Sequence, residues 1–242
     1  MDLRYRWTDG ALRILVPGEW LRSSAYPVVL DPTTTYTLRN DGPGYKKGEN
    51  MGWSVAVGDF NGDEYADILT GAPQNNLGGS AHGYAYIYFG PFSADRTTPD
   101  VSINGTTASA QFGFSVAAGK FNSDIYWDAL IARKSLSPVT ADIDIYYGSS
   151  SFDATADVKI QPPSSPQNFG WAVAAGNVDN ANFDDVVIGE ESRDNDGGLP
   201  SQDGVAYVYK SPFSSTVSTA NYTLFPSSNV SGHFGRAIAV GK

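Results

Sequence analysis

Residues 51–73 read MGWSVAVGDFNGDEYADILTGAP, and the pattern returns three times: FGFSVAAGKFNSDIYWDALIARK from Phe112, FGWAVAAGNVDNANFDDVVIGEE from Phe169 and FGRAIAVGK from Phe234. The glycines Gly52, Gly113, Gly170 and Gly235 are spaced by 61, 57 and 65 residues. Self-similarity at a nearly fixed spacing marks a chain built from stacked copies of one supersecondary unit. A period near 60 is long enough for four short strands and their loops.

Working outward, each unit offers short β-rich runs between turn residues, and no stretch has the 3.6-residue apolar spacing of a helix. The first unit gives SVAVG, DILTGA, GYAYIYFG and DVSING. The second gives SVAAG, DALIA, DIDIYYG and ADVKIQ, and the third AVAAG, DVVIG, GVAYVYK and NYTLFP. Four antiparallel strands per repeat predict propeller blades. Small residues dominate the first run, as an innermost strand crowding a central axis requires. The third run carries the Tyr and Phe that would fill the space between blades.

Between the first two runs of the first unit lies DFNGDEYAD, residues 59–67, with oxygen-bearing side chains at alternate positions. Calcium takes six to eight oxygens, and a D-x-[DN]-x-[DN] run supplies them by curling around the ion. Asp59, Asn61, Asp63 and Asp67 are the expected side-chain ligands, with the Tyr65 carbonyl between them. Gly62 falls where the curl needs a positive φ. Asp, Asn and Gly also make ordinary surface turns; the fourth acid and the apolar runs on both sides favour the cation. The loop is not an EF-hand, because helix signals are missing and residue 70 is Thr rather than Glu.

These residues carry a family resemblance. The chain resembles FG-GAP repeats, the blade motif of the integrin α-subunit propeller and of many prokaryotic surface proteins, over about residues 45–242. The naming pairs are Phe112-Gly113, Phe169-Gly170 and Phe234-Gly235, with Met51-Gly52 as a variant, and Gly71-Ala72-Pro73 closes the second strand of the first unit. The resemblance implies an all-β propeller, calcium in the loop between the first two blade strands, and ligand recognition by the loops at the other end. Here those would include Gln74 to His82, Ser135 to Ala141 and Ser192 to Gln202.

The sister loops are degraded. In the second unit Lys120 replaces the first ligand while Asn122, Asp124 and Asp128 persist, so an ammonium is expected in place of the ion. In the third, Asn177, Asp179 and Asp185 remain but Ala181 replaces the central acid, leaving a weaker second site that Asp184 could complete only by rearrangement.

Composition narrows the function further. A 242-residue chain that is 41% apolar can build a sizeable core. Its net charge of −10 and pI near 4.5, without a Lys/Arg cluster, argue against a nucleic-acid partner. No apolar run is long enough to span a bilayer. The N-terminus, MDLRYRWTDG, lacks a signal-peptide core. Cysteine is absent, which excludes disulfides and thiolate metal sites. Three N-x-[ST] sequons, at Asn104, Asn221 and Asn229, lean toward an extracellular setting.

Residues 1–32 fall outside the repeat and read as the end of an upstream β-rich segment or a linker. TTTYTLR, residues 33–39, resembles the fourth-strand run NYTLF and predicts an outer blade strand supplied from the N-terminal side. Blades are expected over about 45–104, 105–162 and 163–226, with a partial unit over 227–242. A closed ring needs about four or more blades. Three full blades and loose strands therefore predict an incomplete ring with exposed apolar edges, part of a longer exported protein.

Catalysis has little material. With no Cys and only His82 and His233, nucleophile–base arrangements are poorly served. Glu190 and Glu191 are neighbours on a strand and point to opposite faces; Asp194 and Asp196 read as loop solvation or a weak acidic turn. The expectation is a non-catalytic, calcium-binding extracellular recognition or adhesion module whose protein or glycan ligand meets the face opposite the calcium loop. The alternative is a carbohydrate-active enzyme or its sugar-binding propeller domain, which requires clustered exposed aromatics.

Overall fold

The computed structural model describes residues 4–8, 11–15, 36–41, 48–74, 82–134, 142–163, 168–191, 203–226 and 232–241. The chain divides into two compact units, Met1–Thr37 and Leu38–Lys242. The first contains one antiparallel hairpin, β1 (Arg4–Thr8) and β2 (Ala11–Leu15).

The second unit is built from three four-stranded antiparallel sheets. The first is β3 (Ser54–Gly58), β4 (Asp67–Ala72), β5 (Tyr84–Tyr88) and β6 (Val101–Asn104). The next is β7 (Phe112–Gly119), β8 (Asp128–Arg133), β9 (Ile143–Tyr146) and β10 (Val158–Ile160). The third is β11 (Phe169–Gly176), β12 (Asp185–Glu190), β13 (Val205–Tyr209) and β14 (Tyr222–Leu224). Each sheet runs in sequence order, the up-and-down meander of a blade. First strands of successive blades touch, β3 with β7 and β7 with β11, so they form the inner wall.

Small first-strand residues explain that placement. Ala117, Ala118 and Ala175 let neighbouring blades approach, while the third-strand tyrosines Tyr86, Tyr88, Tyr146, Tyr207 and Tyr209 are buried farther out. The blade 1–blade 2 layer packs Leu69, Ala85, Ile87 and Ile103 against Val116, Ala129 and Ile131. The blade 2–blade 3 layer packs Leu130, Ile143, Ile145 and Ile160 against Val173, Val186 and Ile188.

A buried carboxylate opens every second strand. Asp67, Asp128 and Asp185 are each at most 1% exposed. Asp67 accepts the backbone N–H of Phe60 at 2.8 Å and of Gly90 at 2.9 Å; Asp128 accepts those of Phe121 at 2.7 Å and Gly148 at 3.0 Å. Asp185 repeats this with Val178 and Ser211, both at 3.1 Å. One side chain thus ties the inter-strand loop to the end of the third strand, satisfying donors that burial would otherwise strand.

The FG pairs share one backbone device. Gly52, Gly113, Gly170 and Gly235 all have φ between 81° and 86°, each two residues after a second left-handed residue: Asn50, Gln111, Asn168 and His233. The bulge lets β7 and β11 resume register with the second strand after skipping two residues.

The sheets do not close into a ring. Val116 and Val173, on the inward-facing layers of blades 2 and 3, are 7% and 8% exposed, whereas their counterpart Val55 is 63% exposed. On the opposite side Ile103 and Ile160 are at most 1% exposed, and their counterpart Leu224 is 46% exposed.

Two features sharpen the reading of the termini. Residues 234–240 are not in a strand: Phe234 makes a parallel bridge to Gly204, equivalent to the Phe112–Gly83 bridge. In the TTTYTLR run, the described part of the second unit begins at Leu38, which bridges Arg96 as Ile160 bridges Val217. The Arg39 N–H donates to Arg96 O at 2.8 Å, as Gln161 donates to Val217 at 2.8 Å. The Tyr88 and Tyr209 hydroxyls reach the Arg39 and Gln161 carbonyls in turn. Leu38 and Arg39 thus stand toward blade 1 as the end of an outer strand stands toward the following blade.

Candidate functional site

The DFNGDEYAD loop curls through its own side chains. Asp59 accepts the N–H groups of Gly62 at 2.7 Å, Asp63 at 3.1 Å and Glu64 at 3.0 Å. Asn61 Oδ1 accepts Asp63 N–H at 3.0 Å, and Asp63 Oδ1 accepts Tyr65 N–H at 2.9 Å. Gly62 has φ 78°, and a Cβ there would collide with the Tyr126 ring of the next blade. The Asp59 carbonyl accepts Trp127 N–H at 2.9 Å, which stitches the loop to blade 2.

The chemistry of this donor set fits a hard divalent cation. It is all oxygen, and each carboxylate retains lone pairs beyond those used on backbone N–H groups. Burial raises the Asp67 pKa, its two backbone hydrogen bonds oppose that, and the charges of Asp63 and Asp59 raise it further. The three acids therefore lie within each other's fields. Among the described residues no ion pair involves any of them. They lie along the curl without converging: among the described residues no group of three or more His, Cys, Asp or Glu is gathered at metal-holding distance.

The sister loops carry their own cations. Lys120 Nζ folds back onto its loop and donates to Ile125 O at 3.1 Å. In the third loop Asn177 donates its amide to Ala181 O, and Asp179 pairs with Lys210 Nζ at 2.7 Å. That lysine hydrogen bond holds the Asp179 carboxyl below its usual range. Asp185, the last member of the expected weaker set, is engaged by Val178 and Ser211. Lys210 extends β13 at the position held by Phe89 in blade 1 and Tyr147 in blade 2. The lysine is thus specific to the third loop.

At the other end of the blades the structure brings together residues that the sequence reading did not single out. The residue after each FG-type glycine is aromatic in three repeats, and these side chains form a row: Trp53 to Phe114 at 5.6 Å between ring centroids, Phe114 to Trp171 at 5.2 Å. Lys134 Nζ sits 5.4 Å from the Phe114 ring and 4.5 Å from that of Trp171, and the Arg236 guanidinium lies 6.0 Å from Trp171. The signal was visible as G-[WFWR] at equal places in four repeats. Most of the expected recognition loops at this end, residues 75–81, 135–141 and 192–202, lie outside the described residues, as do Asp194 and Asp196.

The residues weighed for catalysis hold structural places. His82 offers its carbonyl to Phe112 N–H at 2.9 Å, and His233 Nδ1 lies 3.8 Å from Glu191. Glu190 is fully buried and accepts the Tyr207 hydroxyl at 2.9 Å, whereas Glu191 faces His233 and Arg236. The two acids look toward different partners, as their adjacency on a strand requires.

Comparison with known proteins agrees with this architecture. The chain is 32% identical to human integrin alpha-6 over 59% of its own length and 13% of the relative's. It is 26% identical to rat phosphatidylinositol-glycan-specific phospholipase D over 86% of its length and 25% of the relative's. The bovine phospholipase D is 28% identical over 57% of the chain and 18% of the relative. The chain therefore spans a quarter or less of these curated relatives, and all three are mammalian, so they lend nothing to a prokaryotic origin. Residues 51–88, which contain the whole acidic loop and the first three strands of the first blade, match the FG-GAP repeat family.

Proposed function

We propose that this chain is a non-catalytic recognition module of an extracellular or cell-surface protein, stiffened by one calcium ion in the first loop. The observation that carries the metal assignment is the contrast among loops. Two of them have a lysine turned onto their own oxygens, and the one with the full acid set has none. Asp59, Asn61 and Asp63, the Tyr65 carbonyl and Asp67 would hold the ion, which would offset the repulsion among the three carboxylates. The third loop is left out of the ligand set because Lys210 already neutralises Asp179.

Because the loop is tied to blade 2 through Trp127, an ion there would brace the layer between two blades rather than touch a ligand at the far end. Integrin and phospholipase relatives support a propeller module carried within larger proteins of different activities, in keeping with function residing in sites rather than folds. Recognition is assigned to the end bearing the aromatic row, which also favours the glycan branch of the reading over a protein ligand.

The test is thermal unfolding with millimolar calcium against EDTA. A ligand at about 100 times its Kd adds about 2.7 kcal/mol, or about 5–10 °C for a domain of this size. Asp63→Ala should remove most of that shift. Identical curves with and without calcium would overturn the metal assignment, and saccharide turnover would overturn the non-catalytic one.

A further inference from the structure

The geometry points to an acidic-polysaccharide subsite on the Trp53–Phe114–Trp171 row, in which sugar rings lie along the aromatic faces and their carboxylate or sulfate groups meet Lys134 and Arg236. This rests on the recognition reading above and names its residues and ligand class.

Three observations converge on it. The row is built by the fold: in each repeat the chain leaves the left-handed glycine and places its next side chain at the same height on the inner wall, so ring follows ring at 5.6 and 5.2 Å. The rings are tilted by 44° and 58° rather than stacked flat; Phe114 and Trp171 are half-buried and Trp53 is 56% exposed.

Charge selects the ligand class. The protein carries −10 overall, and its acidic loop begins at Asp59, six residues along the chain from Trp53 through β3, or about 20 Å at the strand rise. At the row two cations lie against the rings, with the Glu191 carboxylate beside the second of them. Lys134 makes no ion pair among the described residues, so its ammonium, held by two ring faces, retains donors for an incoming anion. Arg236 is 64% exposed and only loosely joined to Glu191 at 3.6 Å. A nucleic acid would also offer rings and anions, but two cations on a chain of net charge −10 are too few to follow a continuous phosphate backbone. A neutral glycan would leave both cations unused.

The experiment measures binding of fluorescently labelled hyaluronan hexasaccharide, chondroitin sulfate hexasaccharide and cellohexaose to the whole chain with calcium, at two salt concentrations. The expected result is binding of an acidic hexasaccharide about ten-fold tighter than cellohexaose and weakened by salt. Preference between the first two probes reports whether carboxylate or sulfate is read. Trp53→Ala and Lys134→Ala should each weaken binding about ten-fold. Each variant's calcium-dependent melting shift shows whether it has folded, and Lys134→Arg, which keeps the charge, should restore most of the affinity. No binding of either acidic probe, or equal binding by Trp53→Ala and Lys134→Ala, overturns the subsite. A surviving calcium shift without cleavage of the probes would then leave the module reading standing, whereas cleavage would remove it while leaving the subsite.

Discussion

Gly71 in β4 faces the carbonyl of Gly113 in the next blade so closely that a Cβ on Gly71 would overlap it. The Ser54 hydroxyl donates to that same carbonyl at 3.0 Å. Gly189 and Gly235 repeat the overlap at the far side of blade 3, while blade 2 has Ala132 at the corresponding place, with Gly170 held farther off. The glycine of the second strand and the glycine of the next FG pair thus act as a lock between blades. Gly71→Ala should cost about 1–3 kcal/mol, because backbone rather than a pliable side chain must move. Ala132→Gly should cost about 1–2 kcal/mol, from backbone entropy and the loss of a fully buried methyl, with no backbone shift. Urea unfolding followed by tryptophan fluorescence checks both; equal losses would show that the lock does not distinguish the two layers.

Lys120 stands where Asp59 stands, and the rest of the second loop keeps Asn122, Asp124 and Asp128 at the ligand spacing. Lys120→Asp should therefore create a second calcium loop. Isothermal titration would read a stoichiometry rising from one ion to two, together with a larger melting shift. The new affinity should be the weaker of the two, since burial pushes the Asp128 carboxyl up to about 7 and part of the binding energy goes into ionising it. A stoichiometry unchanged at one would mean that Ser123, in place of the left-handed Gly62, prevents the curl.

Much of this was legible in the chain because repeats print one structure several times. The strand runs, the period and the degraded loops all follow from aligning four segments, and Tyr146 and Tyr207 fill the inter-blade space as their third-strand places suggest, while Tyr86 packs with Leu38 and Met51 on the open side of blade 1. Positions whose role depends on a neighbouring repeat were not legible. Trp53, Phe114 and Trp171 are about 60 residues apart with no local pattern linking them; only the packing of blade on blade brings them to 5–6 Å. Asp67 was read solely as a metal ligand, yet its place in a series with Asp128 and Asp185 shows a second role, bridging the loop to the third strand. That bond pattern joins residues up to 26 apart and leaves no local motif.

Val55 on one side and Leu224 on the other are exposed where their counterparts in inner layers are buried, and Val57, Tyr222 and Phe225 are exposed near them. Each side is shaped to receive a blade, so two copies can meet head to tail with unlike faces. Sedimentation velocity across a hundred-fold concentration range should show reversible association, reduced by Val55→Lys and by Leu224→Lys, each with little effect on stability because both sites are exposed. A single species at all concentrations would show that these faces are too irregular to pair.

Asp128 gives the fold a pH dependence of defined sign. Burial pushes its carboxyl up to about 7, against the opposing hydrogen bonds from Gly148 and Phe121, while Asp124 and Asp157 add to the rise. The folded state therefore binds this proton more tightly than the unfolded chain, whose Asp titrates near 4. Stability from this group is complete below about pH 4, declines as pH rises toward 7, and is level above that. In EDTA, to keep calcium out of the balance, wild type should lose more stability between pH 5 and pH 8 than Asp128→Asn, which cannot titrate. The variant should be less stable at both values, since an amide cannot accept both backbone N–H groups. Parallel stability curves for the two proteins across that window would show that the two N–H bonds outweigh burial and keep the carboxylate charged throughout.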